Sequence, residues 1–183
     1  MKSLVVYYSL TGNNDALAQK ISERLGCDVV RIHTAKNRTK LSAFLDVIFK
    51  RNPKLQEYSI RFSDYDQLIF IAPVWAGKVA TPMLTFFENE KRNIRRYSFI
   101  TLCGGVAGQK QKIAEYLTST LQQKPVTVEE LWVSDLLVAG QKDKDATHYS
   151  VRMEDLYVFK PEIDAFVKAV ARSTERSPVG IVS

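Results

Sequence analysis

The chain alternates short apolar runs with stretches in which apolar residues return every three or four positions. Leu4–Tyr8, Asp28–Ile32, Gln67–Ala72, Ser98–Cys103 and Thr127–Val133 have the length and content of strands. The third contains Leu68-Ile69-Phe70-Ile71-Ala72, apolar at every position. That predicts a central parallel strand covered on both faces. The second run is flanked by charge and reads as an edge.

Helical spacing fills the intervals. Leu17, Ala18, Ile21 and Leu25 form one apolar stripe, and Leu41, Phe44, Leu45 and Ile48 form another that Asn52-Pro53 closes. Thr81-Pro82 opens a third helix carrying Met83, Phe86 and Phe87. Ile113, Ala114, Leu117 and Leu121 mark a fourth, and Pro161 opens a last one with Ile163, Phe166, Val167 and Val170 on one side. Strand and helix in regular alternation predict a doubly wound parallel sheet, and 183 residues suit one such domain. Residues 1–172 carry the pattern; residues 173–183 read as a loosely held tail. Residues 134–153, with Gly140, the charge run from Lys142 to Asp145 and His148-Tyr149, are long for a connection. They predict a loop or short insertion over the ligand edge.

Composition narrows the function classes. Lys and Arg number 26 against 20 Asp and Glu, a net charge of +6. No apolar run reaches the roughly 20 residues of a membrane helix, and the start lacks the apolar stretch of a signal peptide. A cytoplasmic protein without a membrane partner is expected. Cys27 and Cys103, with His33 and His148, form no disulfide framework and no metal-ligand pattern. Basic residues gather at Lys36, Arg38, Lys40, Lys50, Arg51 and Lys54, and again at Lys91, Arg92, Arg95 and Arg96. They read as a solvated surface, or as steering for an acidic partner or an anionic substrate. Without aromatic–basic interleaving or a recognition helix, nucleic acid is not an expected partner.

The most informative local feature is the first strand-to-helix turn, Ser9-Leu10-Thr11-Gly12-Asn13-Asn14. A helix start offers unpaired N–H groups and the positive end of its dipole, and the turn adds hydroxyl and amide donors. The arrangement is an anion cradle at the carboxyl end of a central strand, where α/β folds place ligands. An ordinary capped helix is the other reading of the same residues. Asp15 places a carboxylate in the first turn, hostile to an anion if it turns inward. No Gly-x-Gly-x-x-Gly pattern follows the first strand, which argues against a Rossmann dinucleotide site.

Three segments together resemble the flavodoxin family. The opening turn is similar to its phosphate loop, with Asn14 where the family usually has Thr or Ser. Tyr65-Asp66-Gln67 through Ala72-Pro73-Val74-Trp75-Ala76-Gly77-Lys78 resembles the third strand and first flavin-flanking loop. Leu102-Cys103-Gly104-Gly105-Val106-Ala107-Gly108 resembles the second flanking loop. The resemblance covers about residues 3–133 in order, and residues 161–172 supply the last helix.

That resemblance implies a flavodoxin-like three-layer α/β sandwich, with a five-stranded parallel sheet in the order 2-1-3-4-5 and FMN at its carboxyl edge. Ser9, Thr11, Gly12, Asn13 and Asn14 would hold the phosphate. Pro73, Val74, Trp75, Ala76, Gly77 and Lys78, with Cys103, Gly104, Gly105 and Gly108, would enclose the ribityl chain and ring. Trp75 is the expected stacking residue, with a core-capping tryptophan as the other reading. The second loop lacks the aromatic that often covers the outer ring face in electron carriers, and Tyr149 is the candidate to replace it. Lys78 would stabilise an anionic reduced flavin. Cys103 reads as a buried small hydrophobe.

No residue constellation for a separate acid–base step appears, so no catalytic residue and no metal ligand is assigned. The expected function is FMN-dependent electron transfer, as a carrier with a redox partner protein or as a small reductase using NAD(P)H and a small-molecule acceptor. A homodimer whose neighbour closes the open ring face is compatible with it. The alternative is a flavodoxin-fold structural or interaction module with an empty or repurposed flavin site.

Overall fold

The computed structural model describes residues 2–36, 52–75, 77–105, 108–137 and 149–175. In chain order the elements are β1 (Ser3–Tyr7), α1 (Asn13–Leu25), β2 (Asp28–Arg31), β3 (Gln67–Ile71), β4 (Val74–Trp75), β5 (Lys78–Val79) and α2 (Thr81–Glu90). They continue with β6 (Tyr97–Cys103), α3 (Gln109–Leu121), β7 (Val128–Trp132) and α4 (Lys160–Glu175). The predicted helix over Leu41–Ile48 lies outside the described residues, as do residues 138–148 of the long connection.

Five strands form one parallel sheet in the order β2-β1-β3-β6-β7, the 2-1-3-4-5 order expected. β3 is buried at all five positions, as its unbroken apolar run requires. β2 lies at the edge and leaves Asp28 and Val29 exposed. The alternation of side chains along each strand divides the core into two layers. Leu4, Val6, Leu68, Phe70 and Phe99 face a cluster with Met83, Phe86 and Phe87 of α2 and Ile113 and Leu117 of α3. Val5, Ile69, Ile71, Ile100 and Leu131 face the other side, against Leu17, Ala18 and Ile21 of α1 and Ile163, Phe166 and Val170 of α4. The result is a three-layer sandwich. On the α2 face, Phe70 and Phe87 meet edge-on with centroids 4.8 Å apart, and Phe62 meets Phe86 at the same distance.

α4 runs three residues beyond the expected boundary. Its Ser173 hydroxyl donates to Val170 O at 2.7 Å, and the Arg96 guanidinium donates to Ser173 O. The beginning of the segment expected to be loosely held is therefore anchored to the sheet.

The fold sets where a ligand can sit. After β1 the chain crosses to β2 on one side, and β3 begins the other side. The connections leaving β1 and β3 thus diverge at their carboxyl ends, the topological switch point of a doubly wound sheet.

Candidate functional site

Ser9 follows β1 and is buried, and its hydroxyl accepts the Gly12 N–H at 3.1 Å. Gly12 has φ of 95°, a left-handed conformation that closes the turn and starts α1. Its carbonyl accepts the Asp15 N–H at 2.9 Å. The Asn13 and Asn14 N–H groups, in the first turn, find no acceptor among the described residues. Thr11 is exposed at the tip of the turn. The backbone donors and the Thr11 hydroxyl are what this turn offers an anion.

The Asn13 side chain and the Asn14 amide oxygen are engaged within the fold. Asn13 Nδ2 donates to Tyr149 O at 2.9 Å, and Asn13 Oδ1 accepts the Val151 N–H at the same distance. The end of the long connection is thereby clamped to the start of α1. Asn14 is buried, and its Oδ1 accepts the Leu102 N–H at 3.1 Å. Pairing of β6 with β3 stops at Ile71 opposite Ile100, so Leu102 lies past the end of that ladder. The asparagine carbonyl replaces the missing strand acceptor. Asn13 therefore has no side-chain donor left for the expected phosphate role, and the backbone N–H groups of both asparagines remain.

Asp15 turns one oxygen toward β2, while its Oδ1 is buried without a hydrogen-bond partner among the described residues. Its Oδ2 pairs with Arg31 Nη1 at 3.1 Å, while Arg31 Nη2 donates to Ser9 O at 3.1 Å. The same guanidinium lies over the Tyr7 ring, 5.8 Å from its centroid. Burial, with the Asp15 charge second, pushes the Tyr7 phenol above its ordinary value. Sequence reasoning placed no cation at this turn; Arg31 arrives from the last position of β2.

The first flanking loop is a tight hairpin. Val74 pairs with Val79 and Trp75 with Lys78, antiparallel, with Gly77 at φ of 75° in the turn. Ala76 lies outside the described residues. Pro73 is buried, and its carbonyl accepts the Ala80 N–H at 2.9 Å, which anchors the hairpin base. Trp75 is half-buried and packs against the α2-side cluster; Lys78 is exposed. Thr81, at the start of α2, has a buried hydroxyl with no hydrogen-bond partner among the described residues.

The second loop leaves β6 at Cys103, with Gly104 exposed and Gly105 and Gly108 at φ of 78° and 73°. Residues 106–107 lie outside the described set. Here the structure supplies an aromatic that sequence reasoning missed. Trp132 ends β7 directly opposite Cys103, and a methyl group on Gly105 would sit 2.5 Å from its Cδ2. The indole occupies the space a side chain at position 105 would need. Burial pushes the Cys103 thiol up to about 12, and Glu130 beside it, whose Oε1 it reaches at 3.8 Å, acts in the same direction. Gln109 bridges the two, donating to Sγ at 3.5 Å and to Glu130 Oε1. Cys103 is a protonated, buried thiol and not a nucleophile. Tyr149 packs partly buried against the α1-side cluster, and its hydroxyl interacts with Asp155. Its side chain is thus engaged with Asp155 and the α1-side layer.

A groove of about 560 Å³ lined by Asn52, Lys54, Leu55, Tyr58, Thr85 and Asn89 touches none of these segments. The chemistry gathers at the carboxyl edge instead: neutral donors at the α1 start, flanked by a hairpin bearing Trp75 and a glycine turn seated on Trp132.

No protein-family model matches the chain, and no curated protein matches it. Solved structures do. A flavoprotein from Lactobacillus acidophilus, determined in complex with FMN, superposes with a TM-score of 0.62 at 19% identity, over 70% of this chain and 92% of that one. Oxidised flavodoxin 1 from Bacillus cereus gives 0.52 at 13% identity, over 97% and 100%. A flavodoxin, WrbA-like protein from Agrobacterium tumefaciens gives 0.51 at 18% identity, over 94% and 98%. The chain has the flavodoxin-like fold.

Proposed function

We propose that this chain binds FMN at the carboxyl edge of its sheet and takes part in electron transfer. The observation that carries the reading is the pair of unsatisfied N–H groups at Asn13 and Asn14, placed at the switch point between two loops suited to a planar ring. A phosphate dianion fits this donor set: N–H groups converge on it along the helix dipole, Gly12 permits close approach, and Asp15 is neutralised by Arg31. The similar Lactobacillus acidophilus flavoprotein was determined with FMN, which supports the same ligand here.

In this reading Thr11 and the backbone N–H groups of residues 12–14 hold the phosphate. Trp75 shields one face of the ring, and the Gly104–Gly105 turn offers backbone groups to its polar edge. When bound, the flavin supplies the one- or two-electron chemistry; the protein supplies position, exclusion of water and charge. The donor is a redox partner protein or NAD(P)H, and the absence of a separate acid–base constellation among the described residues fits either.

The test is a titration of the purified chain with FMN and with riboflavin, followed by tryptophan emission and calorimetric heat. FMN quenches the emission, and riboflavin binds at least about 100-fold more weakly, because charge-assisted hydrogen bonds contribute roughly 1.5–3 kcal/mol each. No change in emission or heat at saturating FMN overturns the reading. It would favour an interaction module on the same fold, for which the engaged Asn13 side chain and Asn14 Oδ1 are the supporting observation. Stopped-flow mixing of the loaded protein with NADH and NADPH then separates a reductase from a carrier.

A further inference from the structure

The opposite, amino edge of the sheet gathers cations that form no ion pair among the described residues. Lys91 and Arg92 lie in the short 3-10 turn that ends α2, and Arg95 follows just before β6; all three are exposed. Exposed Lys124 comes from the turn between α3 and β7, which is tied to the first. The Gln123 amide donates to Ile94 O at 2.9 Å, and the Tyr97 hydroxyl donates to Gln123 O at 2.9 Å. α4 ends at the same edge, since the Ser173 hydroxyl reaches Gln67 Oε1 at 3.3 Å at the start of β3. Exposed Arg172 precedes it.

Of the acidic groups beside these cations, one is ion-paired and three accept hydrogen bonds from neutral donors. Glu90 accepts from the Tyr58 hydroxyl at 2.6 Å and from Asn93 at 2.8 Å. Glu88 accepts from Asn52 at 2.9 Å, Asp64 pairs with Arg61 at 3.2 Å, and Asp66 accepts the Lys2 N–H at 2.8 Å. Lys91, Arg92, Arg95, Lys124 and Arg172 form no ion pair among the described residues.

The character of the face selects among polyanions. The exposed large apolar side chains, Val29, Tyr116, Trp132, Tyr157 and Val158, lie in none of its segments. A protein interface is centred on aromatic or aliphatic anchors, and a single-strand nucleic-acid site stacks bases on aromatic rings. Among the described residues this face supplies neither. Cations scattered over three separate segments suit anionic head groups, which are laterally mobile and rearrange to meet them. No helix among the described residues is long and apolar enough to cross a membrane, so the contact is with a surface.

We propose that the amino edge of the sheet docks on an anionic lipid surface through Lys91, Arg92, Arg95 and Lys124. Bound this way, the carboxyl edge faces away from the lipid. The proposal stands whether or not FMN binds.

The test is co-sedimentation of the full chain with phosphatidylserine–phosphatidylcholine vesicles. Wild type binds at about 0.05 M salt and is released by about 0.5 M, where the Debye length falls below ~5 Å. Each basic side chain at such a surface contributes about fivefold, so Arg92→Glu/Arg95→Glu lowers partitioning at least about 25-fold. Lys36→Glu/Lys112→Glu makes the same charge change at exposed lysines elsewhere and lowers it by less than about fivefold. Circular dichroism checks that each variant folds, and Lys91→Gln/Lys124→Gln repeats the loss without introducing carboxylates. Equal losses in the two glutamate variants, equal binding to vesicles of phosphatidylcholine alone, or tighter capture by DNA or polyglutamate than by the vesicles overturns the proposal.

Discussion

At the carboxyl end of the sheet the charges beside the α1 start, Asp15 and Arg31, are paired with each other, and the anion donors are backbone N–H groups. At the amino end Lys91, Arg92, Arg95 and Lys124 form no ion pair with a carboxylate among the described residues. In the two proposed roles, one end would recognise by fixed geometry at short range, and the other would attract by a field that salt screens. The difference extends to the backbone. Left-handed glycines occur at both ends, Gly105 in the second flanking loop and Gly26 at the C-cap of α1, but only Gly105 lies under an indole.

The sharpest way to break this comparison is to add a methyl group at each glycine. Gly105→Ala combines an unfavourable φ with a collision against Trp132, and is expected to cost about 2–4 kcal/mol and to weaken FMN binding. Gly26→Ala meets nothing within 4 Å and should cost only about 1 kcal/mol, without effect on FMN. Urea denaturation of both variants, with FMN titration, decides it. Equal costs would mean that the indole does not seat the second loop. Asn14→Ala is next, at about 1–3 kcal/mol, because it leaves the buried Leu102 N–H without an acceptor.

Both ends also hold buried protons, and alkaline titration compares them. Cys103 at the carboxyl edge is raised from 9.0 to about 12, and burial raises the Tyr97 phenol at the amino edge as well. A raised folded-state value means that the folded chain holds the proton where the unfolded chain has lost it. Stability is therefore intact below pH 9 and falls progressively from there toward 12. For Cys103 the loss by pH 10.5 is about 2 kcal/mol. Urea midpoints measured between pH 8 and 10.5 should fall for wild type. They should fall less for Cys103→Ala, with FMN binding at pH 7.5 nearly unchanged. A flat profile in wild type would show that the thiol is not held this way.

The sheet was legible because its signals are local. Each strand boundary read from the sequence lies within one residue of the observed one: the inner strands are apolar runs buried between the layers, and the edge strands β2 and β7 keep short apolar pairs beside charged residues. The hairpin of Val74–Trp75 and Lys78–Val79 was not, because two-residue strands are too short for any period to show. At the site, the turn at Ser9–Asn14 was visible as a donor-rich strand-to-helix junction. The direction of its asparagine side chains was not, since their partners lie 88 to 138 residues away. Arg31 escaped notice for the same reason: it reaches the turn only through the register of β2 beside β1. Trp132 could have been found. Parallel strands end at one edge, so an aromatic closing the fifth run belongs beside the loop after the fourth, and the Gly104-Gly105 pair is the complementary mark.

Smaller effects sharpen the electrostatic half of the comparison. Asp15→Asn leaves Arg31 uncompensated beside the phosphate turn and should raise FMN affinity about two- to fivefold at low salt. Riboflavin, which has no phosphate, should bind Asp15→Asn as it binds wild type. If riboflavin gains equally in a parallel titration, the carboxylate acts on the fold and not on the anion.

Lys78 gives the weakest and most diagnostic signal. It is directly opposite Trp75 across the hairpin, so a flavin against the indole has this ammonium as a close neighbour. Lys78 is exposed, and water screens its charge. A cation there favours the form of the flavin that carries more negative charge, so Lys78→Glu should shift the midpoint potential of the bound flavin downward. The energies of exposed charge pairs correspond to roughly 10–40 mV for one electron. Lys78→Gln should move it about half as far, and both shifts should shrink in about 0.5 M salt. Redox titration against reference dyes reads the effect. An unchanged potential in Lys78→Glu at low salt would place the ring away from the hairpin, and Trp75 would then be a cap on the α2-side core and not a stacking surface.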